Sequence, residues 1–216
     1  MIDERELALN LDDNDLGATL GMPQHPSGII VFAHGSGSSR HSPRNRFVAH
    51  SLVARGFATL LLDLLTPDED EIDRKTAALR FDIALLARRV DLATTWWRKH
   101  GDVHALPIGY FGASTGAGAA LLAASRRDDI DAIVSRGGRP DLAGPALPRV
   151  RAATLLIVGQ RDPKVLGLNR AAAALMTTEH DLTIVPNATH LFEEPGALEE
   201  VARLAGDWFS RYVVVR

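Results

Sequence analysis

Short, nearly unbroken apolar runs punctuate the chain at 29–32, 57–62, 108–111, 132–134 and 154–158. Each is only a few residues long and is bounded by turn-forming residues. That pattern fits strands covered on both faces, the kind found in parallel sheets. Helical patterning fills the intervals. Leu79, Ile83, Leu86, Val90, Ala93 and Trp97 recur at spacings of four and three, and so form one apolar face of a long helix over about 74–99. Further helices are expected from Pro43 to a stop at Gly56, with Phe47, Val48, Ser51 and Leu52 inward, and through 169–176. A last one starts near Pro195, with Leu198, Val201, Ala205, Trp208 and Tyr212 inward. The acidic stretch 66–71 reads as an exposed loop. Two short strands, 6–11 and 16–20, flank a turn-rich link and make an antiparallel pair. Strands alternating with helices require crossover connections. The expected fold is therefore α/β, with a mostly parallel sheet of about eight strands and helices on both faces. Residues 1–216 carry no linker, repeat or low-complexity segment, so one domain is expected.

Composition narrows the function. The formal charge of −3 gives no footprint for nucleic acid or an anionic membrane. No apolar run approaches a membrane span, and the charged N-terminus lacks a signal-peptide core, so a cytoplasmic protein is expected. Cysteine is absent, which removes disulfides, thiolate metal sites and a cysteine nucleophile.

The chemistry centres on Gly112-Ala113-Ser114-Thr115-Gly116, which matches G-x-S-x-G between an apolar strand and an alanine-rich helix running to about 126. A serine at the apex of such a turn is strained. The chain packs so closely there that the positions two before and two after it must lack bulk. Three other strand ends carry unusual residues: His34-Gly35-Ser36-Gly37, Asp162 and His190. Ligands of open parallel sheets bind at the carboxyl ends of the strands. The roles then follow. Ser114 is the nucleophile, His190 its base, and Asp162 accepts the second imidazole N–H. The N–H groups of Ser36 and Thr115 form the oxyanion hole.

Each residue also has a plainer reading. Ser114 and Asp162 could be helix caps, and His190 a surface histidine. Asp63 and Asp141 are reserve acids near strand ends. His34 is a substrate contact or shapes the oxyanion loop. Arg136 and Arg139, flanking Gly137-Gly138, either bind an anionic substrate group or pair with Asp131 and Asp141. Trp96 and Trp97 fit core packing better than a site. His25, His41, His50 and His180 read as solvated. His100 and His104 stand four apart, but Gly101 and Asp102 interrupt the helix, so no metal site and no cofactor are expected.

Four stretches carry a family resemblance: residues 31–39, 111–116, 158–162 and 187–192. Along essentially its whole length the chain resembles the dienelactone-hydrolase-like branch of the α/β-hydrolase superfamily. The nucleophile–acid–histidine order agrees, and the resemblance puts the catalytic serine, aspartate and histidine at Ser114, Asp162 and His190. Dienelactone hydrolases proper use a cysteine where this chain has Ser114, which favours serine esterase chemistry over lactone cleavage. Similar sequences also occur fused to phosphoribosyltransferase domains, and none is expected within these residues.

About 19 residues separate the strands at 132–134 and 154–158, where larger relatives insert a cap. An open, shallow site for small esters is therefore expected, with no cap domain. A homodimer is compatible with the sequence. Competing readings are a non-catalytic binding or regulatory protein on the same scaffold, and a related acyl-transfer activity, namely cleavage of a lactone, thioester or amide, or perhydrolysis. A nucleotide-binding protein is a third, but Gly35-Ser36-Gly37-Ser38-Ser39-Arg40 lacks the last glycine of G-x-G-x-x-G and no P-loop motif occurs.

Overall fold

The computed structural model describes residues 3–11, 14–100 and 105–214. Eight strands form one sheet: β1 (Asp3–Leu11), β2 (Asn14–Met22), β3 (Gly28–Ala33), β4 (Phe57–Leu62), β5 (Ile108–Ala113), β6 (Ala132–Arg136), β7 (Ala153–Gly159) and β8 (His180–Val185). Their spatial order is β1-β2-β4-β3-β5-β6-β7-β8. β2 runs antiparallel to both of its neighbours, and every other pairing is parallel. This is the α/β-hydrolase fold.

Side chains alternate across the pleat as a strand requires. On β3, Ile29 and Val31 join one buried cluster, with α3 (Ile83–His100) and α4 (Thr115–Ala124). Ile30 and Phe32 join the cluster on the opposite face, with α1 (Pro43–Ala54) and α6 (Ala197–Tyr212). Both faces of the central strands are covered, which is why those segments read as unbroken apolar runs.

The helical layer departs from expectation in one region. Thr66 is the N-cap of a helix, α2 (Pro67–Thr76), rather than part of an exposed loop. Its hydroxyl accepts from the Glu69 N–H while the Glu69 carboxylate accepts from the Thr66 N–H, a capping box followed by proline at the first helical position. The long helix does not begin near Arg74 either. Ala77 turns left-handed at φ 54°, a 3-10 turn covers Leu79–Phe81, and α3 starts at Ile83. The buried Asp73 carboxylate forces this break by accepting from the Leu79 and Arg80 N–H groups and from the Arg80 guanidinium. Leu86, Val90, Ala93 and Trp97 are buried as their spacing requires.

α1 buries Asn45, Val48, Ala49, Leu52 and Val53, while Phe47 is exposed. Helix α5 (Pro163–Ala173) begins earlier than the apolar pattern suggests, capped by Asp162. The β6–β7 connection is a 3-10 run, Pro140–Arg149, with no cap domain. Among the described residues no helix is long and apolar enough to cross a membrane. His104 lies outside the described residues.

Candidate active site

The strand order reverses between β3 and β5. β3 leads outward to β4, while β5 leads to β6, β7 and β8 on the other side. A crevice opens at the carboxyl ends of strands at such a switch point. The four strand ends singled out in the sequence all converge there.

At the end of β5, Ser114 has φ 50° and ψ −121°, a region that non-glycine residues rarely occupy. Close packing enforces it. A Cβ on Gly112 would stand 2.7 Å from the Ala117 nitrogen, and one on Gly116 would overlap the carbonyl oxygens of Ala33 and His34. The turn therefore lies directly against the loop that leaves β3. The N–H of Thr115 opens α4, among the groups that a helix leaves unpaired. The Ser36 N–H has no hydrogen-bond partner among the described residues.

His34 fixes this loop from behind. It is buried, its Nδ1 lies 2.9 Å from the Gly35 carbonyl, and its Nε2 lies 3.2 Å from the Leu64 N–H. An N–H can only donate, so Nε2 accepts and Nδ1–H donates. Burial pushes the imidazole pKa below its ordinary value, consistent with that neutral tautomer. Both ring nitrogens are thus spent on backbone, and His34 shapes the loop instead of presenting itself to a substrate.

Asp162 follows β7, and its two carboxylate oxygens divide their work. Oδ1 accepts from the Val165 N–H as the cap of α5, while Oδ2 lies 2.7 Å from His190 Nδ1. Asp162 thus caps α5 with one oxygen and holds His190 with the other. The reserve acids are engaged elsewhere: Asp63 pairs with Arg40, and Asp141 with Arg139 through two contacts of 2.8 and 2.7 Å.

His190 sits in a tight loop after β8 in which Asn187 and Phe192 have positive φ. Two groups brace the loop that the sequence did not single out. The Glu194 carboxylate accepts from the Thr189 N–H, which holds its pKa below the usual carboxylate value. Gly159 leaves room for the loop's backbone, since a Cβ there would stand 2.6 Å from the Thr189 carbonyl oxygen.

Gly35, Ser36, Ser114, Arg136 and His190 line one open cavity of about 230 Å³, together with Ser42, Arg44 and Asn45 from the start of α1. Arg139 is not part of that lining. Arg44 and Asn45 were not foreseen, although Ser42-Pro43 is a recognisable helix-start signal that fixes where they stand. Among the described residues no group of three or more histidine, aspartate or glutamate side chains is placed to hold a metal ion.

Several known proteins are similar to this chain. The chain is 53% identical to the crystallised dienelactone hydrolase of Anabaena variabilis, with a TM-score of 0.96 over 98% of this chain and 99% of that one. It superimposes on Est1E of Butyrivibrio proteoclasticus with a TM-score of 0.80 at 16% identity, a likeness of fold alone. Two Mycobacterium tuberculosis proteins named "Putative phosphoribosyl transferase" are 60% identical over 191 residues. That match covers 88% of this chain but 42% of theirs, so the chain spans about two-fifths of their length. The family model that matches, over residues 16–213, is that of the dienelactone hydrolases, and the chain belongs to the dienelactone hydrolase family.

Proposed function

We propose that the protein is a serine hydrolase of small carboxylic esters that works through an acyl-enzyme on Ser114. One observation carries the reading: a serine at positive φ shares its cavity with a histidine whose far nitrogen is hydrogen-bonded to a carboxylate. The roles follow from bond making and breaking. As Ser114 Oγ bonds to the ester carbon, its proton passes to His190 Nε2. Asp162 keeps the other imidazole proton on Nδ1 and stabilises the imidazolium. The carbonyl oxygen becomes an oxyanion held by the N–H groups of Ser36 and Thr115, each contributing about 3–4 kcal/mol to lowering the barrier. The C–O bond to the alcohol then breaks, and the alcohol leaves with the proton from His190. Water repeats the sequence on the acyl-enzyme, giving the carboxylic acid and free Ser114.

The cavity is open and no cap covers it, which favours short, soluble esters over long acyl chains. The test is turnover of a panel of short p-nitrophenyl esters by the wild type beside Ser114→Ala, with circular dichroism as the fold control. Activity in the wild type, lost in the variant, is the expected result. Equal activity in both would remove Ser114 from the mechanism. Inertness in both would return the scaffold to a binding role.

A further inference from the structure

Helix α5 holds a second polar group besides its cap. Asn169 is 0% exposed and stands about two turns beyond Asp162, on the same side of the helix. Its side-chain amide meets two carbonyl oxygens: Nδ2 donates to Gly138 O at 2.9 Å and to Val165 O at 2.8 Å. Both neighbours can only accept, so the NH2 must face them. Oδ1 is left buried with no hydrogen-bond partner among the described residues. A leucine would fill the same space without the cost of burying that oxygen, so packing alone does not explain an asparagine here. Val165 O lies inside a helix, where the backbone supplies a donor. Gly138 is buried too, and its carbonyl has no other hydrogen-bond partner among the described residues. The contact that needs Asn169 is the one to Gly138.

That carbonyl belongs to the turn 136–139, which grips the elbow. The Ser114 N–H donates to Arg136 O at 3.2 Å, and the Ser114 carbonyl accepts from the Arg139 N–H at 3.0 Å. Between them Gly137, at φ 51°, lies against His190. A Cβ there would stand 3.1 Å from the His190 carbonyl oxygen and 3.6 Å from Cε1 of its ring. The turn has no slack, since a Cβ on Gly138 would overlap Ser135 Oγ and Ala117 Cβ. Resting on the esterase reading of Ser114, we propose that Asn169 is a positioning residue. By holding the Gly138 carbonyl it locks the 136–139 turn to the helix that Asp162 caps, and so sets Ser114, His190 and Asp162 relative to one another. It does not line the cavity and touches no substrate.

The experiment measures kcat and KM on p-nitrophenyl acetate, well below each Tm, for the wild type, Asn169→Leu, Asn169→Ser and Ala172→Gly. Asn169→Leu keeps the bulk and gives up both bonds. Asn169→Ser can still donate to Val165, one turn back, but cannot reach Gly138. Ala172→Gly loosens the same helix at a buried position and leaves the Gly138 bond in place. Both Asn169 variants should lose kcat by about 10- to 100-fold with KM within about threefold of wild type, because misplacement of the reacting groups slows the chemical step. Ala172→Gly should lower Tm and keep wild-type kcat. Wild-type kcat in either Asn169 variant, a rise in KM in place of the fall in kcat, or an equal loss in Ala172→Gly overturns the role while leaving the Ser114 reading standing. Should Asn169→Leu not fold, Asn169→Ser decides alone.

If the wild type hydrolyses no ester, the Ser114 reading fails by itself, and the hold on the turn is read by hydrogen exchange. The Gly137 and Arg139 amides, which donate to Ile157 O and Ser114 O, should exchange faster in Asn169→Ser than in Ala172→Gly. Equal rates refute the role.

Discussion

Replacing Gly116 by alanine tests the elbow more stringently than removing its serine, because it leaves every proposed catalytic group in the chain. The added Cβ would stand 2.7 Å from the Ala33 carbonyl carbon, where carbon atoms normally rest at about 3.5–4.0 Å. The overlap of roughly 1 Å falls on backbone, so no rotamer change relieves it. Either α4 or the His34–Ser36 loop must retreat by about that distance. Overpacking of this size costs about 1–3 kcal/mol, or a Tm loss of about 2–12 °C for a chain of this length. The larger effect is on rate. A displacement of 1 Å takes the Ser36 N–H out of reach of the oxyanion, and kcat should fall about 100-fold. Gly167→Ala is the matched control: it lies within α5, nothing stands within 4 Å of its Cβ, and it should gain about 0.5–1 kcal/mol with unchanged turnover. The assay is kcat on p-nitrophenyl acetate alongside thermal unfolding of all three proteins. Gly116→Ala with wild-type kcat and Tm would refute the claim that backbone contact between elbow and loop sets the geometry.

Ser114→Gly should abolish turnover and raise stability by about 1 kcal/mol, since glycine tolerates φ 50° without strain; an unchanged or lower unfolding midpoint would count against strain at this residue. Asp162→Asn should lower kcat by about 10³–10⁴ while keeping the α5 cap, whereas Asp162→Ala should also lose about 1 kcal/mol of stability; equal stability of the two would remove the capping role. For Asp73, burial raises the carboxyl pKa, but hydrogen bonds from Arg80 and Leu79 outweigh it and the net shift is downward. A lowered folded-state pKa contributes stability that is complete above the unfolded value, near 4, and is lost as pH falls through the folded value. Wild type and Asp73→Asn should thus differ in unfolding midpoint at neutral pH and converge at strongly acid pH; a constant difference would contradict it.

The sheet was legible because its strands are covered on both faces, so that β3, β4 and β7 leave apolar runs needing no knowledge of their neighbours. The convergence of Ser114, Asp162 and His190 was legible for a related reason, since parallel strands all end on one edge. What escaped was decided at longer range or by short polar signals. α2 looks like a loop by hydropathy, having no apolar face, and is held instead by the Thr66–Glu69 box and by Asp73. Arg44 and Asn45 gain meaning only when the turn of α1 comes to rest beside the end of β6, 91 residues away along the chain. The pairing of Arg139 with Asp141, two residues on, was within reach of sequence reasoning, whereas the reach of Asn169 to Gly138, 31 residues back along the chain, was not.

The divided carboxylate of Asp162 bears on how relatives of this chain should be read. One oxygen serves a helix and the other serves a ring, so selection on folding alone would retain an aspartate here after catalysis had ceased. His190 has no such second employment. Its ring is 38% exposed, and among the described residues only Asp162 forms a hydrogen bond with it. In an inactive descendant the histidine should therefore be the first of the three to drift, and its identity is the better single diagnostic of a working site.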